Sequence, residues 1–233
     1  LVDSGAGLKI DTELLVSYEP DFVIGSADMA AQYEACQQLT GMGIPCAAFT
    51  VETFDDYLQM LKICTDITGN SQAYETAGLA VQEEITSLLA DLDAYLQSET
   101  TEPTNVLFIR AGSSDSSTKA KTAKDHFVGV MLDELGTVNI ADAAGDLSEG
   151  LSLESIVLNQ PDVILIVTQG SEDAAISYVE DLFGKSGWRD LQAVAQDRYY
   201  FLPKDLFHYK PNARWAESYA YLMDLIYPEF QHA

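Results

Sequence analysis

Arg110 closes the apolar run Asn105-Val-Leu-Phe-Ile-Arg110, and a guanidinium at the end of a buried strand is costly unless it meets an anion. It is therefore expected to face a cleft or to pair with a carboxylate. Its planar fork of donors suits a carboxylate or a similar planar oxyanion, and a structural ion pair with a nearby Asp is the competing reading. Phe207-His208-Tyr209 follows another apolar run. A histidine beside a tyrosine there could reach a metal centre of a ligand or stack on a planar ring. Alternatively the aromatics pack their loop and His208 makes an ordinary hydrogen bond. The histidines are His126, His208 and His232, with no His-rich loop, a poor supply for surrounding a bare zinc or manganese ion. No Gly-x-Ser-x-Gly elbow, P-loop or Gly-x-Gly-x-x-Gly fingerprint supports an enzyme.

The elements that must position these residues carry a weak internal repeat. Glu13-Leu-Leu-Val-Ser-Tyr-Glu-Pro20-Asp21-Phe-Val-Ile24 and Glu154-Ser-Ile-Val-Leu-Asn-Gln-Pro161-Asp162-Val-Ile-Leu165 share a glutamate, six residues, Pro-Asp and a β-rich apolar run. In each, a short amphipathic helix is expected to end before the proline and a buried strand to follow. After the first copy the pattern predicts a helix near Met29–Gly41, a strand over Ile44–Thr50 and a helix over Phe54–Thr68. From Asn70 to about Leu96, apolar residues recur at helical spacing through Leu79, Ile85, Leu88, Leu89, Leu92, Tyr95 and Leu96. The second half repeats the alternation: strand Asn105–Arg110, a Gly/Ser-rich loop, and a helix His126–Leu135 stopped by Gly136. The Glu154 helix, strand Val163–Thr168, helix Ala174–Phe183, strand Arg198–Leu202 and closing helix Ala213–Tyr227 follow. Helices alternating with apolar strands indicate an α/β fold with parallel sheets in two lobes bridged by one long helix, divided at 1–69, 70–98 and 99–233.

The chain has 233 residues, 47% of them hydrophobic, with 12 Lys and Arg against 37 Asp and Glu, a net charge of -25. It can bury a core, and it would be repelled by nucleic acid or an anionic membrane leaflet. Lys9 and Lys62 are the cations of the first 105 residues, whereas Arg110, Lys119, Lys121 and Lys124 fall close together. Most of the acidic excess reads as solvated surface. Cys36, Cys46 and Cys64 show no Cys-x-x-Cys spacing, which argues against a disulfide framework or zinc knuckle, so they read as mostly buried thiols. No apolar run is long enough for a membrane span, and no signal peptide opens the sequence.

The paired Glu-x6-Pro-Asp units, Gly43-Ile44-Pro45 before a strand, Ile67-Thr68-Gly69 before the long helix, and Phe127-x3-Met131-Leu132-x2-Leu135-Gly136-x2-Asn139-Ile140 resemble the helical-backbone class of ABC-transporter solute-binding proteins. The resemblance covers nearly the whole chain. It implies an extracytoplasmic, non-enzymatic monomer that carries a ferric siderophore, haem or cobalamin to ABC permease subunits. It also implies an export signal, often with a lipidated cysteine, as the link to the membrane. A strand-helix-strand section that precedes the first repeat in the family is missing, so the N-terminal lobe reads as truncated. The resemblance further implies that Glu13 and Glu154 meet an arginine on each permease subunit; their alternative role is to favour the dipole of a first helical turn. In open α/β sheets ligands bind beyond the carboxyl ends of strands. That rule nominates Ser26, Asp28 and Thr50 in the first lobe, and in the second Arg110, Gly112, Ser113, Thr168, Gly170 and the segment Pro203 to Tyr209, in which His208 and Tyr209 are the candidate contacts. A bare zinc or manganese carrier of similar shape, an extracytoplasmic sensor module and an enzyme are the competing functions.

Overall fold

The computed structural model describes residues 9–99, 102–143 and 152–232. It comprises two compact units, Leu1–Met60 and Leu61–Ala233. The first contains α1 (Thr12–Ser17), β1 (Val23–Ser26), α2 (Ala30–Gly41), β2 (Cys46–Phe49) and the start of α3 (Phe54–Thr68). β1 and β2 pair in parallel, from Val23 opposite Cys46 to Ser26 opposite Phe49, so a crossover is required and α2 supplies it. None of the residues in either strand is fully buried. α2 buries Ala35, Cys36 and Leu39.

α2 ends as the Gly43-Ile44-Pro45 pattern requires. Gly43 lies at φ +85°, its N–H donates to the Thr40 carbonyl, and the Ile44 N–H donates to the Leu39 carbonyl. This paired closure satisfies carbonyls that the helix leaves open, and the positive φ is easiest for glycine. The cysteine reading needs correction: Cys36 and Cys46 form a disulfide with Cα atoms 5.5 Å apart, tying α2 to β2. Ten positions separate them, and they meet because α2 folds back over the sheet. Cys64, in α3, is free.

In the second unit the long helical run is present as α4 (Ser71–Tyr74), a π-helical turn at Glu75–Leu79 and α5 (Ala80–Glu99), joined through residues that keep right-handed helical geometry. There follow β3 (Asn105–Ala111), a 3-10 turn at Asp115–Ser117, β4 (Lys119–Ala120), α6 (Phe127–Glu134), β5 (Val138–Asn139) and α7 (Ile140–Ala143). The chain then resumes with α8 (Leu153–Asn159), β6 (Val163–Thr168), α9 (Glu172–Phe183), α10 (Gln192–Ala195), β7 (Tyr199–Leu202), α11 (Lys204–Phe207), a 3-10 turn and α12 (Trp215–Ile226). The short β4, β5, α10 and α11 are absent from the sequence reading, and α11 occupies part of what was read as a loop around His208. No helix among the described residues is long and apolar enough to cross a membrane.

The sheet order is β4-β3-β6-β7, with β3, β6 and β7 parallel. Antiparallel β4 and parallel β5 share the other edge of β3, at its carboxyl and amino ends respectively. β6 is buried at all six positions, consistent with a parallel strand covered on both faces. Leu107, Ile109, Ile164 and Ile166 pack with Ile140, Ile156, Val179 and Phe183. The alternating set Val106, Phe108, Leu165 and Val167 is also buried and projects the other way. Burial of each such side chain contributes about 1.5–3 kcal/mol.

The repeat is built alike at its helices. Asp11 caps α1 by accepting from the Leu14 N–H at 2.9 Å, and Ser152 caps α8 by accepting from the Ser155 N–H at 3.1 Å. Glu13 and Glu154 each occupy the second residue of their helix, and both are exposed. Glu19 at φ 49° and Gln160 at φ 39° then stand immediately before Pro20 and Pro161. A following proline disfavours right-handed helical geometry in the residue before it, so both helices end just ahead of their proline, α1 at Ser17, three residues before Pro20, and α8 at Asn159, two before Pro161.

Candidate functional site

In the first unit, parallel β1 and β2 bring Ser26 and Thr50 to one carboxyl edge, since Ser26 is opposite Phe49. The Ser26 hydroxyl accepts from the Asp28 N–H at 3.2 Å, and the Ser26 N–H is held by Gln32 Oε1 at 2.8 Å. The Asp28 carboxylate and Thr50 are exposed there.

In the second unit, β3, β6 and β7 end together, and their extensions carry Arg110, Ser113, Thr168 and the segment through His208 and Tyr209. Arg110 is half-buried. Its Nε donates to Gln169 Oε1 at 2.9 Å, and Gln169 Nε2 donates to the Ser117 carbonyl. Its side-chain partner is thus a neutral amide, and no described carboxylate pairs with Arg110, so the Asp-pair reading is not met. Thr168 is 1% exposed with its hydroxyl unpartnered. Ser113 is an exposed loop residue.

His208 caps α11 and its ring meets the edge of Tyr209 at 4.8 Å. Its Nδ1 is buried without a hydrogen-bond partner among the described residues. Phe207 is fully buried, as the packing reading has it, while Tyr209 is exposed. Burial pushes the His208 imidazole below its usual range, and the charges of Lys204 and Arg110 act in the same direction.

His126 belongs to the same cluster. Its ring packs between Phe108 and Phe127, at 5.1 and 4.8 Å, and its Nδ1 accepts from the Val128 N–H at 3.3 Å, capping α6. Burial, reinforced by the positive fields of Lys210, Arg110 and Lys121, lowers its pKa to about 3. Both imidazoles are therefore neutral at pH 7, and the positive charge of this edge comes from Arg110, Lys121, Lys204 and Lys210. Lys204 donates to the Gly170 carbonyl at 3.0 Å and stands 3.9 Å from Glu172; Lys210 lies over the Phe127 ring at 4.8 Å. Four of the chain's 12 Lys and Arg thus act on two neighbouring imidazoles.

Sequence reading did not nominate His126, Gln169 or Lys210, whereas Lys204 lies within the nominated segment Pro203 to Tyr209. Gln169 and Lys210 directly follow the nominated Thr168 and Tyr209, a usable signal, whereas the position of His126 depends on how α6 packs beside β3. No group of three or more His, Cys, Asp or Glu among the described residues is placed to hold a metal ion.

No curated protein sequence matches this chain. Among solved structures it is similar to a periplasmic haem-binding protein from Pseudomonas aeruginosa, with a TM-score of 0.77 and 20% identity, covering 99% of this chain and 80% of that one. It is also similar to the periplasmic haem-binding protein RhuT of Roseiflexus sp. RS-1, with a TM-score of 0.74 and 24% identity over 96% of this chain and 81% of that one. A third is IsdE of S. aureus, solved in complex with haem, with a TM-score of 0.70 and 13% identity, covering 94% and 82%. At these identities the likeness establishes the fold. The family model for periplasmic binding proteins matches residues 1–206, so nearly nine-tenths of the sequence, both copies of the repeat included, falls within it: the chain belongs to the periplasmic binding protein family.

Proposed function

We propose that this protein is the extracytoplasmic solute-binding component of an ABC uptake system and that its cargo is an iron chelate, haem or a cobalamin-type ligand. The observation that carries this reading is the cationic edge of the second unit, in a chain whose net charge is -25. Concentrating scarce cations at strand ends costs electrostatic energy that an anionic ligand returns. Arg110, Thr168, His208 and Tyr209 are the contacts proposed from this unit, with Ser113 beside them, and Ser26, Asp28 and Thr50 those from the first. The similar haem-binding proteins from Pseudomonas aeruginosa and Roseiflexus, and IsdE with its bound haem, favour the same ligand class.

A thermal-shift panel of ferric siderophores, haem, cobalamin and Zn2+ tests the cargo. A ligand present at a hundred times its Kd and bound only by the native state adds about 2.7 kcal/mol of stability, a shift readily resolved. Stabilisation by Zn2+ alone would overturn the chelate reading. For delivery, Glu13 and Glu154 are the proposed contacts with the permease, each exposed at the same position of a capped helix. Replacing both by Arg is expected to abolish transport and leave ligand affinity unchanged. A loss of affinity instead would place them at the ligand.

A further inference from the structure

Gln169 directly follows β6, and its N–H donates to the Ala111 carbonyl at 2.8 Å. Its side chain is used at both ends: Oε1 accepts from Arg110 Nε at 2.9 Å, and Nε2 donates to the Ser117 carbonyl. The orientation of the amide is fixed by these partners, because a guanidinium can only donate and a carbonyl can only accept. One neutral side chain therefore ties the ends of β3 and β6 to the 3-10 turn. A glutamate would be the stronger partner for a guanidinium, yet it could not donate to Ser117 and would set a carboxylate against a carbonyl oxygen. Held by its Nε edge, Arg110 keeps Nη1 and Nη2 without partners among the described residues, and no described carboxylate cancels its charge.

We propose that Gln169 is a positioning residue that sets the charge preference of the site. It orients the Arg110 guanidinium through a neutral amide and leaves the charge and both Nη donors for an anionic group of the ligand, a carboxylate or propionate carried on the chelate. This rests on the chelate-binding reading and adds to it that neutral chelates gain nothing from Arg110.

The test compares the parent protein, Gln169→Glu and Gln169→Met for binding of haemin and ferric citrate, which are anionic, and of ferrichrome and cyanocobalamin, which carry no net negative charge. Thermal melts confirm the fold of each variant. Gln169→Glu is expected to lower affinity for an anionic probe by roughly tenfold or more, since it pairs the guanidinium internally, and to leave neutral probes within about twofold. Gln169→Met removes both hydrogen bonds without adding charge, and a smaller loss of about threefold is expected, again for anionic probes. The proposal is overturned if both variants keep the parent's affinity for anionic probes, or if neutral probes lose affinity equally. It is also overturned if the parent binds only neutral probes, a result that leaves the chelate reading intact. A parent that binds none of the four would sink the chelate reading, and the Gln169 assignment with it.

Discussion

The two copies of the helix-Pro-Asp-strand unit share one local design and differ in what surrounds it. α1 and α8 are capped at the same position and end before a proline through a residue of positive φ. Their strands part company: β6 is flanked by β3 and β7 and wholly buried, while β1 has β2 as its partner in a two-stranded sheet and no fully buried position. Helix ends are set by short-range chemistry, so similar sequences suffice to repeat them. Stability is set by burial, which the repeat does not encode. The first unit adds a covalent tie between α2 and β2, and small units with thin cores commonly rely on such links in oxidising compartments.

The sharpest test of this contrast uses corresponding residues. Ile24 in β1 and Leu165 in β6 occupy the same place in the repeat, but Ile24 is 54% exposed and Leu165 is fully buried. Leu165→Ala is expected to cost about 3 kcal/mol or more by denaturant unfolding, because it leaves a cavity among close-packed side chains. Ile24→Ala is expected to cost less than about 1 kcal/mol. Equal costs would mean that the two strands carry similar loads. Next in size is the disulfide. Closing a loop of this length is worth about 2–3 kcal/mol through the unfolded chain. Cys36→Ser with Cys46→Ser should therefore speed amide exchange in β1, α2 and β2 while β6 keeps its protection; unchanged exchange in the first unit would remove the disulfide from its support.

The same contrast explains what the sequence makes legible. The bounds of α3 and β6 match the apolar pattern to the residue, and the ends of α2 and α6 follow from Gly43 and Gly136, because these features depend on neighbours within one or two turns. Arg110 is identifiable from its place at the end of an apolar run. That its partner would be Gln169 is not, since 59 residues separate them and the pairing arises from strand register. The Cys36–Cys46 bond escapes for a similar reason: the spacing matches no familiar motif, and only the return of α2 over β2 brings the sulfurs together.

Acid should separate the units as well, because all three histidines lie beyond residue 60. An imidazole depressed in the folded state is protonated first in the unfolded chain, so the unfolded state binds more protons between the two pKa values. For His126 that window runs from the ordinary 6.5 down to about 3. Its contribution is whole above the window and is lost as pH falls through it, at up to about 1.4 kcal/mol per pH unit. His208 is depressed in the same direction. His126→Asn keeps an acceptor for the Val128 N–H without a titrating group. Stability of this variant between about pH 6 and 4 should fall less steeply than the parent's by nearly one proton; parallel curves would show that His126 titrates normally.

The smallest effects belong to the feature the copies share. Removing the acceptor that caps α1 or α8, by Asp11→Ala or Ser152→Ala, should cost about 1 kcal/mol each, since each leaves an N–H of the first turn without its side-chain partner. The two costs should differ in their response to salt. Asp11 adds a charge at the positive end of its helix, an interaction that counterions screen, whereas Ser152 contributes a neutral hydrogen bond. Raising ionic strength should therefore shrink the penalty of Asp11→Ala and leave that of Ser152→Ala nearly unchanged, and Asp11→Ser should recover most of the high-salt stability. If Asp11→Ala proves neutral while Ser152→Ala costs its full amount, the first unit does not depend on anchoring α1, and the copies share a sequence pattern without sharing the energetics that the pattern serves in the second.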